Sequence, residues 1–246
     1  MTILNAVLLS LIAGLATGLG GGLLALFGDL NMRTYDGLLG FAAGVMTAVA
    51  TLGLVHQAMV QGSLLIVMLG IAAGAAMLFV FDRVLPHEHE SLSFTCRNPI
   101  AYRRGLLLLA AMTLHNIPEG LAVGTGYASE PRLGLLLAIA IALHNIPEGV
   151  AIAGPFRECG MPRRQYIAWA AGSGLAEPLA ALIGAVAVAF FRPMLPFSLA
   201  FAGGAMLYVV SDELIPESHS HGYEHQATFG FLLGFVLLVT LTQLMA

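Results

Sequence analysis

The sequence predicts an all-α membrane protein of eight transmembrane helices, organised as one polytopic domain over residues 1–246. Three observations predict it: a composition too apolar for water, eight long apolar runs, and a one-sided distribution of arginine. Of the 246 residues, 58% are hydrophobic and only 10% are charged, with a mean hydropathy of +0.87. An ordinary soluble domain carries about 25% charged residues. Too few polar residues are present to cover a soluble exterior, so the surrounding solvent is mostly lipid. A soluble enzyme, a disordered chain and a disulfide-stapled scaffold are excluded. Net charge is −4, and ten basic residues spread along the chain form no basic face for nucleic acid.

A helix crosses the hydrocarbon with about 20 apolar residues. Runs broken by charge, proline or glycine give spans at roughly 3–27, 35–58, 62–84, 104–127, 132–155, 165–191, 197–217 and 227–246. The first, from Ile3 to Phe27, is too long for the apolar core of a cleavable leader and lacks a basic segment before it. The second and third are joined by a tight connection from Gln57 to Gly62. Gly14, Gly18 and Gly22, and likewise Gly40 and Gly44, place small residues where helix backbones pack closely. Cys96 and Cys159 form no CxxC pair and suggest neither a thiolate metal site nor a disulfide framework.

Every basic residue is arginine. With the N-terminus outside, Arg33, Arg83, Arg97, Arg103, Arg104, Arg157, Arg163 and Arg164 fall inside, and only Arg132 and Arg192 fall outside. That bias sets the orientation and makes both termini extracytoplasmic. The inner loops, about 85–103 and 218–226, are the ones that carry histidine.

Ionisable groups inside a span are costly and need a compensating role. Glu119, Glu148 and Glu177 lie well within spans four, five and six, each beside a proline (Pro118, Pro147 and Pro178). Proline removes a backbone donor, and irregular helix backbone at that depth is tolerated only in a cavity or inside protein. The sharpest signal is a repeat: His115-Asn116-Ile117-Pro118-Glu119-Gly120 recurs as His144-Asn145-Ile146-Pro147-Glu148-Gly149, 29 positions later. Residues i and i+4 share a helix face, so His115 is expected to stack on Glu119 and His144 on Glu148. Asn116 and Asn145 stand about 100° round from the histidines and can flank the same cleft.

Two imidazoles facing two carboxylates make a four-ligand cation site suited to zinc and its first-row neighbours. The lack of thiolate disfavours copper(I). Glu177 adds a third carboxylate, and three carboxylates in low dielectric require cations or protons. The bland alternative is a polar network tying helices four and five; two identical copies with a third glutamate favour metal. Met46 reads as a core filler and His56 as an interfacial polar residue. Asp82, His87, Glu88, His89 and Glu90 gather at the inner end of span three. Asp212, Glu213, Glu217, His219, His221 and His225 gather at the inner end of span seven. Each cluster by itself reads as a solvated loop; together, on one side, they suit transient metal capture.

On its twin motifs the chain resembles the ZIP (Zrt-, Irt-like) family of divalent metal transporters, in particular the bacterial zinc-uptake branch. The likeness extends over the whole chain, including Ser173-Gly174-Leu175-Ala176-Glu177-Pro178 and Asp212-Glu213-Leu214-Ile215-Pro216. The resemblance implies helices 1–3 and 6–8 as inverted repeats around the helix 4–5 pair. It implies one metal on His115, Glu119, His144 and Glu148, and another on Asn116, Asn145 and Glu177, with Glu119 and Glu148 bridging. Met46 matches a pore-lining position that can contact the first metal. Asp82, His87, His89, Asp212 and Glu213 match an exit route; some relatives carry His where Asp212 stands, and relatives vary at the first two positions of the span-five motif.

The implied activity is uptake of Zn2+, with Fe2+, Mn2+, Co2+ or Cd2+ as further cargoes, across the inner (plasma) membrane. No cofactor is expected, the partners are divalent ions and the bilayer, and the small-residue faces permit a homodimer. Rocking of one helix group against another is one route to alternating access, and a gated channel is the other. The competing enzyme class is an intramembrane zinc-dependent hydrolase. The chain lacks HExxH, and two symmetric motifs leave no general base. A metal-sensing receptor would need an output module, and the loops are short.

Overall fold

The computed structural model describes residues 2–28, 30–84 and 98–245. Eight helices in it are long and apolar enough to cross a membrane, and the described residues contain no strand. In chain order they are α1 (Thr2–Phe27), α2 (Met32–Gln61), α3 (Leu64–Val84), α4 (Pro99–Ser129), α5 (Pro131–Glu158), α6 (Arg163–Phe190), α7 (Arg192–Ser218) and α8 (Glu224–Met245). All eight expected spans are present. Several run past the apolar stretch that announces them. α4 starts at Pro99 rather than 104 because Asn98 caps it, its Oδ1 accepting from Ala101 N at 3.2 Å, with proline at the first helical position.

The prolines act differently from one another. α4 and α5 remain helical through Pro118 and Pro147, so the backbone breaks expected at the twin motifs do not occur there. α6 does break, in a turn at Gly174 and Leu175 between helical halves Arg163–Ser173 and Ala176–Phe190. Pro178 has no N–H to offer the Gly174 carbonyl, which accepts instead from Glu177 N at 3.2 Å in a tighter turn. Glu177 thereby sits in the first turn of a new helix, where a negative side chain is favoured. α2 and α7 each contain a wide, π-helical segment, Val49–Val55 and Val210–Leu214. Such segments turn side chains round the helix and recur at functional sites. The second ends just before Pro216, which cannot donate to Asp212.

Polarity is inverted relative to a soluble protein. Leu4, Leu64, Phe190, Phe229 and Leu244 are exposed, whereas Asp36, His115, Asn116, Glu119, His144, Asn145, Glu148 and Glu177 are buried. The two helix triplets interleave. α1 packs on α5 and α6, α4 on α5 and α6, α2 on α8 and α7, and α3 on α7. The result is two four-helix groups, α1/α4/α5/α6 and α2/α3/α7/α8, which meet chiefly where α4 lies on α7 and α2 on α5. Exchanging α1 with α6, α2 with α7, α3 with α8 and α4 with α5 maps these pairings onto themselves.

Within each group the helices touch backbone to backbone. Gly14 faces Gly174, Gly149 faces Thr17, Gly40 faces Ala227 and Gly204 faces Ile71, with no room for a Cβ at any of these glycines. Between groups the corresponding contact is ordinary: a Cβ on Gly53 would meet the Leu137 side chain at 3.4 Å. Cys159, which spacing left unpaired, is disulfide-bonded.

Candidate metal centre

The twin motifs meet where α4 and α5 cross the middle of the molecule. Glu119, His144 and Glu148 each offer a ligand atom, all within 4.8 Å of one another, and all three are fully buried. His144 Nε2 lies 3.0 Å from Glu119 Oε1 and 4.0 Å from Glu148 Oε1. Its other nitrogen, Nδ1, lies 3.1 Å from the Ala140 carbonyl one turn back. That carbonyl can only accept, so Nδ1 carries a proton; the 3.0 Å contact of Nε2 with Glu119 Oε1 then needs a second proton between them, which a bound cation would replace. The shorter of the two His144–Glu contacts therefore runs between helices, not along one helix as the i,i+4 spacing suggested.

His115 departs from its counterpart. Its Nε2 lies 2.7 Å from Glu213 Oε1, on the π-helical segment of α7, and it is not part of the three-residue cluster. The expected stacking of His115 on Glu119 is replaced by this contact with the other helix group. The sequence flagged both residues but not their meeting, because they are 98 positions apart.

The asparagines also differ. Asn145 Nδ2 donates to Glu177 Oε1 at 2.6 Å and to the Ala13 carbonyl of α1 at 2.9 Å. Neither amide atom of Asn116 has a hydrogen-bond partner. Glu119 Oε2, both Glu148 oxygens, Asn145 Oδ1 and Glu177 Oε2 are likewise buried without a hydrogen bond. Buried polar atoms are nearly always satisfied. So many unsatisfied acceptors in one place is the chemistry of a cation site.

Met46 is fully buried in α2. Asp212 is exposed and Glu213 is about one-third exposed on the flank of α7. His87, His89 and the side chain of Asp82 lie outside the described residues. The sequence reading missed Asp36, which is buried in the first turns of α2 with its carboxylate on His221. The signal was present: an acidic residue one position inside an expected span.

The family model described as ZIP Zinc transporter matches residues 89–242. The chain is 39% identical over 242 residues to the zinc transporter GufA of Myxococcus xanthus, covering 94% of this chain and 95% of that one. This protein belongs to the ZIP family. It is also 38% identical to the zinc transporter ZIPB of Bordetella bronchiseptica, over 93% of this chain and 78% of the relative. Identity to the zinc transporter ZupT of Corynebacterium glutamicum is 36%, over 94% and 95% of the two chains. As a ZIP protein with eight membrane-capable helices it is a multi-pass membrane protein, and its nearest described functions are transport, not catalysis.

Proposed function

We propose that this ZIP protein carries Zn2+ across the inner membrane into the cytosol through a binuclear site built on the twin motifs. The observation that carries the reading is the buried Glu119–His144–Glu148 cluster with its unsatisfied oxygens. In it Glu119, His144 and Glu148 hold the first ion, with His115 joining when it leaves Glu213, and Met46 flanks the path. Asn116, Asn145 and Glu177 hold a second ion that Glu119 and Glu148 share. A neutral imidazole and carboxylates suit zinc, and also admit Fe2+, Mn2+, Co2+ and Cd2+. A hydrolase finds no support in the relatives, which are named as zinc transporters.

The arginine bias supports an orientation with the α5–α6 and α7–α8 connections in the cytosol and both termini outside. The cargo then sheds water at the cluster and leaves past Glu213 and Asp212, with Asp82, His87 and His89 as further exit ligands. Backbone-tight packing within each helix group, and looser side-chain contact between them, supports rocking of one group against the other. The exchange symmetry of the packing supports an inverted repeat of helices 1–3 and 6–8. The chain acts as one domain, and the small-residue faces at Gly14, Gly18, Gly40 and Gly44 are taken up by packing within it rather than by a dimer.

The test is purified protein in liposomes with an internal zinc dye. Uptake by the natural sequence, lost in Glu119→Ala and Glu148→Ala, supports the reading; undiminished flux in both variants overturns the site. An internal pH dye in the same vesicles reports whether ligand protons are exchanged as metal enters.

A further inference from the structure

One buried carboxylate lies outside the twin motifs and plays no part in the route described so far. Asp36 is fully buried in α2. Its Oδ1 lies 2.8 Å from His221 Nδ1, and its Oδ2 has no hydrogen-bond partner. Removing a carboxylate from water is expensive, so a single contact to a loop histidine calls for a reason. The contact does one definite thing. With Nδ1–H donated to Asp36, the lone pair of the neutral imidazole is on Nε2. Metal-binding histidines are commonly held this way, with a carboxylate on the nitrogen away from the ion. Tyr35 steadies the ring further, packing edge-on at 5.6 Å with the planes at 79°.

The place matters as much as the pair. His221 is not a freely solvated loop residue: its side chain is 20% exposed. It lines a cavity of about 310 Å³ between the two helix groups. The facing wall is α5, through Val150, Ala151 and Gly154. Those residues follow Glu148 directly along the helix, so the cavity begins within about one turn of the metal cluster. Arg104, Arg157 and Glu158 also line it; the Arg104 guanidinium lies 3.3 Å from Glu217, and Arg157 donates to the Leu24 carbonyl at 2.7 Å.

We propose that His221 Nε2, oriented by Asp36, is a separate binding site for a divalent transition-metal ion on the wall of this cavity. It receives the ion from the mid-membrane cluster before release. One imidazole with water in the remaining coordination positions binds loosely, as a release station must. Asp36 is a positioning residue, since it reaches the ion only through the imidazole. The role in release rests on the transport reading above; the existence of the site does not.

The test uses the full-length protein in two arms. In the first, Glu119→Ala and Glu148→Ala together remove the mid-membrane cluster, and Co2+ is titrated while its visible absorption is followed. A residual weak site is expected. His221→Gln should remove one Co2+ equivalent from the residual binding, because the glutamine amide can still donate to Asp36 but has no imidazole lone pair. Asp36→Asn should weaken it about tenfold. His219→Gln and His225→Gln should leave it intact. A residual stoichiometry unchanged by His221→Gln, or lowered by either of the other two instead, overturns the site.

In the second arm, zinc uptake into liposomes is measured at saturating zinc with the cluster intact. His221→Gln should lower the maximal rate about tenfold with little change in half-saturation, at an unchanged melting temperature. A natural rate in His221→Gln overturns the release role. If the natural protein accumulates no zinc at all, the transport reading fails, and the Co2+ arm still decides whether His221 binds metal.

Discussion

The two copies of the six-residue motif are identical in sequence and different in surroundings. On α5, His144 has Nδ1 fixed by the Ala140 carbonyl and Nε2 in contact with Glu119. On α4, His115 is engaged by Glu213 of the opposite helix group. Asn145 is tied to Glu177 and to α1, whereas Asn116 is tied to nothing by a hydrogen bond. The α5 copy is fixed by contacts to its own helix and to α1, and the α4 copy reaches across to the other helix group. A repeated motif specifies which ligands are available; the helices around each copy decide which are in place.

The largest expected effect treats the copies alike. Glu119→Ala and Glu148→Ala should each abolish zinc uptake in liposomes, because both carboxylates belong to the one buried cluster. Equal and near-natural flux in the two would refute a shared site.

The histidines should then separate. His144→Ala should cost more zinc affinity than His115→Ala, on the order of 100-fold against about tenfold, measured by calorimetry on purified protein. Equal losses would mean that His115 is a full ligand whenever metal is bound, and that its contact with Glu213 belongs to the metal-free state alone.

A smaller difference is expected from the asparagines. Asn145→Ala leaves Glu177 buried without its donor and should destabilise the protein by about 1–3 kcal/mol in a reversible unfolding assay. Asn116→Ala breaks no hydrogen bond and should leave stability within about 0.5 kcal/mol, while still changing metal affinity. The smallest effect is expected from Glu213→Gln, which keeps an acceptor for His115 but removes the charge. Uptake should fall by no more than a few-fold, and complete loss would promote Glu213 to an essential ligand.

Much of this was legible beforehand. Eight spans follow from hydropathy because each must cross about 30 Å of hydrocarbon. The buried cluster of Glu119, His144 and Glu148 follows from the repeat, since carboxylates at that depth need a reason to exist. What was hidden depends on partners far apart in the chain. The contact of His115 with Glu213 needs the fold, as does the pairing of α2 with α8 and α3 with α7. Proline marked three glutamates equally in sequence, yet only Pro178 accompanies a broken helix. There Gly174 and Leu175 form a turn, and the chain of α1 lies directly against it. Asp36 was overlooked because it stands at the edge of an apolar run, where an acidic residue passes for a boundary.

The meeting of Gly14 with Gly174 has a wider consequence. Glu177 is held where it is by two helices touching with nothing between them, and a Cβ added at Gly14 would collide with the Gly174 backbone and come within 3.2 Å of the Glu177 carboxylate. A methyl group at either glycine would wedge that seam open and shift the acid. On the proposed site, residues without any functional group therefore govern how tightly the ion is gripped, and a survey of variants confined to the proposed ligands would never find them.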